Sequence, residues 1–230
     1  MHRGFFITGT DTGIGKTHVG CSLLTALGRR GLATAAMKPV ASGCRQTADG
    51  WRNDDALQLQ QAANIRLRYD DVNPYALPAA IAPHLAAREA GAIIDLDGLQ
   101  QRFDALARQA DITVVEGVGG WCVPLNAEQT TVDLACRLAL PLIIVVGIRL
   151  GCINHALLTF NAIDSAAGAP AVAGWVANII DPETLRIPDI ITTLREAIAA
   201  PFLGTLPYLQ NAETRPVAEQ AGFPGLDTLL

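Results

Sequence analysis

Residues 5–17 read Phe5-Phe6-Ile7-Thr8-Gly9-Thr10-Asp11-Thr12-Gly13-Ile14-Gly15-Lys16-Thr17, and an apolar-periodic run carrying Val19, Leu23, Leu24 and Leu27 follows at once. An apolar strand thus runs into a glycine-bearing loop, and the loop into a helix that opens Gly-Lys-Thr. Glycines let main-chain N–H groups close on phosphate oxygens, while the helix N-terminus adds partial positive charge. In that setting Lys16 would reach the β- and γ-phosphates of a nucleotide, and the Thr17 hydroxyl would ligate Mg²⁺. The loop departs from the common G-x-x-x-x-G-K-[ST] spacing: Thr10 stands where the first glycine is expected, and Gly9 lies one residue earlier. A bare Gly-Lys-Thr is common, and its position after the first strand of an alternating chain is what makes it informative.

Outward from this loop, short apolar runs alternate with longer amphipathic ones. Strands are predicted at 5–8, 34–38, 112–116, 142–147, 173–177 and 202–205, and helices at 16–30, 54–63, 96–109, 131–138, 153–167 and 188–199. Most of the strands are apolar on both faces, so helices must cover both sides of the sheet. Asn53, Asp95 and Thr130 are candidate helix caps. The stretch 72–83, with three prolines, reads as irregular, and 213–230 has the weakest pattern. These features predict an α/β, single-domain P-loop NTPase-like fold over residues 1–230, its mostly parallel central sheet flanked by helices on both faces. In such sheets ligands collect beyond the carboxyl ends of the strands.

Composition narrows the function. A net charge of −5 with no Lys/Arg cluster argues against a general nucleic-acid or anionic-membrane surface. Half the residues are hydrophobic and 17% are charged, the balance of a compact globular chain of 230 residues. The five cysteines lack C-x-x-C spacing, which favours reduced thiols and a cytoplasmic location over a disulfide framework. Phe5-Phe6-Ile7 is too short for a secretory signal. The most apolar run, 138–148, falls well short of the roughly 20 residues that cross a bilayer.

Two acids stand out. Glu116 ends the apolar strand 112–116 and precedes Gly117-Val118-Gly119-Gly120, a position from which phosphoryl-transfer proteins contact metal or water. Asn53-Asp54-Asp55 opens a helix, where acids are favoured by the macrodipole whether or not they have a further role.

Four segments together resemble the dethiobiotin synthetase family. They are Gly9-Thr10-Asp11-Thr12 with Gly15-Lys16-Thr17; Lys38-Pro39-Val40-Ala41-Ser42-Gly43; Val115-Glu116-Gly117 with Gly119-Gly120-Trp121; and Gly151-Cys152-Ile153-Asn154-His155-Ala156. Gly174-Trp175-Val176-Ala177-Asn178 extends the match, which covers about residues 5–210. The resemblance implies a homodimeric, Mg²⁺- and ATP-dependent ligase that makes dethiobiotin from 7,8-diaminopelargonic acid, CO₂ and ATP. The family's route has three stages: the diamine captures CO₂ as a carbamate, the carbamate oxygen attacks the γ-phosphate, and the second amine closes the ureido ring with loss of phosphate.

The same resemblance assigns roles. It implies that Lys16 and Lys38 are catalytic cations holding two mutually repelling anions in line. It selects Thr17, Asp55 and Glu116 for Mg²⁺. Gly13, Ile14, Gly15, Lys16, Thr17, His18, Gly117, Val118 and Gly119 would surround the nucleotide, with Asn178 and Pro207 at the base. Thr12 and Ser42 would meet the amines and carbamate, and Gly151, Cys152, Ile153 and Asn154 the distal carboxylate at the dimer interface. Two departures are visible: Gly13 stands where the family often has glutamate, and Asn211 near where an acid often meets the ribose. His155 reads as a packing or capping residue.

Three rivals are weaker. Partition-type P-loop ATPases carry a lysine where Asp11 stands here, and 222–230 has no basic amphipathic helix. A glutamine-dependent amidating ligase would need a glutaminase domain. A non-catalytic nucleotide binder would not require both lysines together with the three oxygen ligands.

Overall fold

The computed structural model describes residues 3–208 and 223–230. In chain order its elements are β1 (Gly4–Gly9), α1 (Lys16–Arg29), β2 (Thr34–Met37), β3 (Val40–Ala41), β4 (Arg45–Thr47), β5 (Gly50–Arg52), α2 (Asp54–Ala62), α3 (Tyr69–Val72), β6 (Tyr75–Ala76), α4 (Pro83–Glu89), α5 (Leu96–Ala107), β7 (Ile112–Glu116), α6 (Thr131–Leu138), β8 (Leu142–Ile148), α7 (Cys152–Ser165), β9 (Val172–Ile179), α8 (Ile187–Ala197), β10 (Phe202–Leu206) and α9 (Leu226–Leu229).

Six strands form one sheet in the order β10-β9-β8-β1-β7-β2, and every neighbouring pair is parallel. Period-two alternation explains why both faces need cover. Phe6, Leu142, Ile144 and Val146 join a core with residues of α5, α6, α7 and α8. Phe5, Ile7, Ile143 and Val145 join a second core with α1, Leu59 of α2, and Phe223 and Leu226. All seven residues of β8 are buried, and each such Ile or Val contributes about 1.5–3 kcal/mol.

All six predicted main strands and six predicted helices are present, with ends shifted by at most two residues, the scatter expected of fraying termini. The three predicted caps also hold. Asn53 accepts from Ala56 N, Asp95 from Asp97 N and Gly98 N, and Thr130 with Asp133 forms a capping box.

The stretch 72–83 is more ordered than its sequence suggests. Val72 closes α3, β6 pairs in parallel with β3, and Pro83 opens α4. The order comes from pairing across the chain, Val40 with Tyr75 and Ala41 with Ala76, which no local pattern announces. Between β3 and α2, β4 and β5 form an antiparallel hairpin. The chain crosses from one side of β1 to the other between β7 and β8. The carboxyl ends of β1, β7 and β2 therefore lie side by side, at the switch point where such sheets bind ligands.

Candidate functional site

The phosphate loop leaves β1 and enters α1 through Gly15, whose φ of 85° lies in the left-handed region. A Cβ there would come within 2.2 Å of Asn178 Nδ2, so glycine is required twice over. No side chain caps α1, which leaves its first N–H groups available to an anion.

A cleft of about 880 Å³ opens over this helix end. Its polar floor includes Lys16, Thr17, Lys38, Asp55 and Glu116, and its apolar wall includes Ala80, Ile81, Ala82, Pro83, Val118 and Val123. On the floor Lys38 Nζ donates to Glu116 Oε1 at 2.5 Å and lies 3.4 Å from Asp55 Oδ2. Thr17 Oγ1 donates to the same Glu116 oxygen at 3.1 Å. Lys38 and Glu116 are 4% and 1% exposed, so their attraction is little screened. Burial pushes the Glu116 carboxyl above the usual range, against the pull of Lys38. Burial opposes charge on Lys38 too, but Glu116 and Asp55 outweigh it and hold the ammonium above its ordinary value.

Lys16 donates to the Asp11 carbonyl at 2.8 Å. Burial lowers its pKa to about 8, with Lys38 pushing the same way and Glu116 opposing. Asp11 Oδ2 in turn accepts from Arg149 Nη2 at 2.6 Å, and Asp11 Oδ1 accepts from Thr12 N at 2.7 Å. The loop is thereby tied to the segment between β8 and α7.

A family model described as AAA domain matches residues 3–215. The chain is 54% identical to the ATP-dependent dethiobiotin synthetase BioD of Pseudomonas aeruginosa (strain UCBPP-PA14), over 93% of both chains. It is 49% identical to the ATP-dependent dethiobiotin synthetase BioD of Xanthomonas axonopodis pv. citri, over 97% of this chain and 99% of that one. The chain belongs to the dethiobiotin synthetase family. Membership makes it a ligase of biotin biosynthesis, and ATP with Mg²⁺ are the cofactors that go with it. Among solved structures, a ParA family ATPase from Chlorobium tepidum TLS superposes with a TM-score of 0.58 at 14% identity, over 99% of this chain and 90% of that one. The septum site-determining protein MinD complexed with Mg-ADP from Pyrococcus horikoshii OT3 gives 0.56 at 18%, over 99% and 89%. At those identities they establish the P-loop α/β fold alone.

The residues present fit the dethiobiotin synthetase cation. Glu116 Oε2 is buried without a hydrogen-bond partner among the described residues, and Thr17, Asp55 and Glu116 offer the hard oxygen donors that Mg²⁺ prefers. Among the described residues no three His, Cys, Asp or Glu side chains gather into a metal cluster. Two acids and a hydroxyl suit an ion that takes its remaining ligands from phosphate and water.

Of the other residues singled out in the sequence, Thr12, Gly13, Gly15, His18, Ser42, Val118 and Gly119 line the cleft. Ile14 and Gly117 are buried just beneath it. Asn178 is buried under the phosphate loop, its Nδ2 donating to Ile14 O at 2.7 Å. Pro207 is exposed after β10, and Asn211 lies outside the described residues. Gly151, Cys152, Ile153 and Asn154 open α7 and do not line the cleft of this chain. His155 is exposed on the first turn of α7. The sequence reading passed over Gln58 and the apolar wall at 80–83. An Ala/Ile/Pro run after a strand carries no chemical signature, and only its placement opposite the phosphate loop singles it out.

Proposed function

We propose that this dethiobiotin synthetase family member closes the ureido ring of dethiobiotin on 7,8-diaminopelargonic acid, using CO₂ and ATP and releasing ADP and phosphate. The observation that carries the reading is Lys38 bridging Glu116 and Asp55 beside Thr17, one step from the phosphate loop. Two anions, a carbamate and a triphosphate, must meet there, and Lys16 and Lys38 offset their repulsion. When bound between Thr17, Asp55 and Glu116, Mg²⁺ supplies further positive charge at the phosphate oxygens.

The hydroxyls of Thr12 and Ser42 orient the amine that has become a carbamate, so that its oxygen attacks the γ-phosphorus in line while the P–O bond to ADP breaks. Lys38 neutralises the carbamate oxygen, and Lys16 follows the γ-phosphate. Ring closure follows when the second amine attacks the carbonyl carbon of the carbamic–phosphoric anhydride and expels phosphate. Gly13 to His18 and Gly117 to Gly119 surround the phosphates, and Asn178 with Pro207 flanks the base. The apolar wall Ala80 to Pro83 gives the methylene chain a surface to rest on.

The distal carboxylate belongs at Gly151 to Asn154 of a second copy in a homodimer. Supporting that reading, α7 has no side-chain cap, and Leu150 and Leu158 are 95% and 59% exposed beside it. The enzyme works in the cytoplasm, in keeping with five free cysteines. Incubation with diamine, bicarbonate, ATP and Mg²⁺, following phosphate and product mass together, tests the reading. One phosphate per dethiobiotin is expected, and ATP turnover without that product would sink it.

A further inference from the structure

Lys38 and Asp55 stand on different segments, yet each is fixed within 3.4 Å of the other. The main sheet brings Lys38 to Glu116, since β2 lies beside β7, but it does not fix Lys38 against Asp55. β2 ends at Met37, so Lys38 has already left it, and Asp55 lies in the first turn of α2 beyond an exposed hairpin.

What holds them is the segment 69–77. Lys38 N donates to Val72 O at 2.7 Å, Tyr75 N to Pro39 O at 3.1 Å, and Leu77 N to Ala41 O at 2.8 Å. Asn73 Nδ2 donates to Lys38 O at 2.7 Å and reaches Tyr75 O at 3.4 Å. Its Oδ1 accepts from the Tyr69 hydroxyl at 2.9 Å. That hydroxyl accepts from Asn53 N at 2.7 Å. Asn53 is the cap of α2, its Oδ1 taking Ala56 N. One chain of hydrogen bonds therefore runs from the Lys38 main chain through Asn73 and Tyr69 to the turn that carries Asp55.

Asn73 and Tyr69 are 2% and 9% exposed, and Arg52 lies 4.1 Å over the Tyr69 ring. A buried polar chain in which each member is satisfied fixes one geometry, and removal of a link leaves its neighbours without partners.

We propose that Tyr69 and Asn73 are positioning residues that set the spacing of Lys38 and Asp55, and with it the cation site and the cation that meets the carbamate. The inference rests on the roles given above to Lys38 and Asp55. Tyr69 and Asn73 touch no reacting atom and act through the Lys38 main chain and the cap of α2.

The test uses the full chain and the substitution Tyr69→Phe, which removes one oxygen and keeps the ring. Four readouts are taken: kcat, KM for ATP, melting temperature, and Mn²⁺ binding in the presence of ATP by electron paramagnetic resonance. Loss of one buried link predicts kcat down about ten-fold and the Mn²⁺ Kd up about five-fold. KM for ATP stays within about two-fold, because the side-chain bonds of Tyr69 and Asn73 go to Asn53, Lys38 and Tyr75 and not to the phosphate loop.

Ile198→Val, a buried core change at the C-cap of α8, is the control for lost stability alone and should lower the melting temperature with kcat and Mn²⁺ Kd unmoved. Asn73→Ala should repeat the Tyr69→Phe pattern more strongly where it folds. Wild-type kcat and Mn²⁺ Kd in Tyr69→Phe, whatever its melting temperature, would overturn the inference, and so would a change confined to KM for ATP. If the wild-type protein forms no dethiobiotin, the proposed reaction falls, while the Mn²⁺ measurement still decides the role of Tyr69.

Discussion

Replacing Lys38 by glutamine should cost more than replacing Glu116 by glutamine, although the two are partners in one ion pair. In Lys38→Gln, Glu116 stays 1% exposed and keeps, among the described residues, only the Thr17 hydroxyl at 3.1 Å, its second oxygen having no hydrogen-bond partner among them to begin with. An unpaired buried carboxylate of this kind destabilises by about 3–5 kcal/mol, the usual cost of breaking a buried pair from one side. In Glu116→Gln, Lys38 retains Asp55 at 3.4 Å, and Asp55 is half-exposed, so the loss falls to about 1–3 kcal/mol. Urea unfolding without metal is the assay, checked by melting temperature. For a chain of this length about 2–4 °C is expected per kcal/mol, so Lys38→Gln should melt roughly 6–20 °C low. Added Mg²⁺ should raise the Lys38→Gln midpoint more than the wild-type one, because a cation then replaces the missing ammonium. Turnover should fall about 100-fold or more with ATP binding kept. Equal destabilisation by the two substitutions, or near-normal turnover in Lys38→Gln, would refute the account of the pair.

Three other outcomes are expected. Glu116→Gln should raise the Mg²⁺ concentration needed for half-maximal turnover about ten-fold, and an unchanged Mg²⁺ response would move the cation to another acid. Gly15→Ala forces a Cβ to within 2.2 Å of Asn178 Nδ2 at a φ of 85°, so ATP affinity by calorimetry should drop at least about ten-fold. Asn178→Ala in the same chain should recover only part of that, and full recovery would show that the left-handed backbone is not a constraint. Arg149→Met frees Asp11, but that pair is about 40% exposed on each side, so KM for ATP should rise only about three-fold and the effect should shrink in high salt. A salt-independent change would mean that Arg149 acts through packing.

Much of this protein is written locally. β8 is apolar on both faces, so its two neighbours and the helix layers above and below it are implied by seven residues in a row. Asn53, Asp95 and Thr130 cap their helices with their own side chains, an interaction spanning two or three residues, which is why each could be read from the chain. The phosphate loop is likewise a contiguous signal, strand, glycines and Gly-Lys-Thr, whose chemistry depends on neighbours in sequence.

The rest is decided in three dimensions. Lys38 following a strand is by itself a solvated lysine, and Asp55 in a first helical turn is by itself a favourable charge. They become one site only because β2 lies beside β7, which brings Lys38 to Glu116, and because Tyr69 and Asn73 bridge the intervening chain. Hydrogen bonds between residues 35 positions apart leave no periodicity behind them, so the stretch 72–83 reads as irregular although β6 pairs within it. Asn178 shows the same division. Its place at the end of an apolar strand is legible, but its bond to the Ile14 carbonyl and its close approach to Gly15 exist only once β9 and the phosphate loop are folded against each other. Sequence determines what lies along the chain within a turn or a strand, where side-chain period and capping act. Tertiary structure alone determines which distant charges share a buried, weakly screened volume, and the chemistry depends on that proximity.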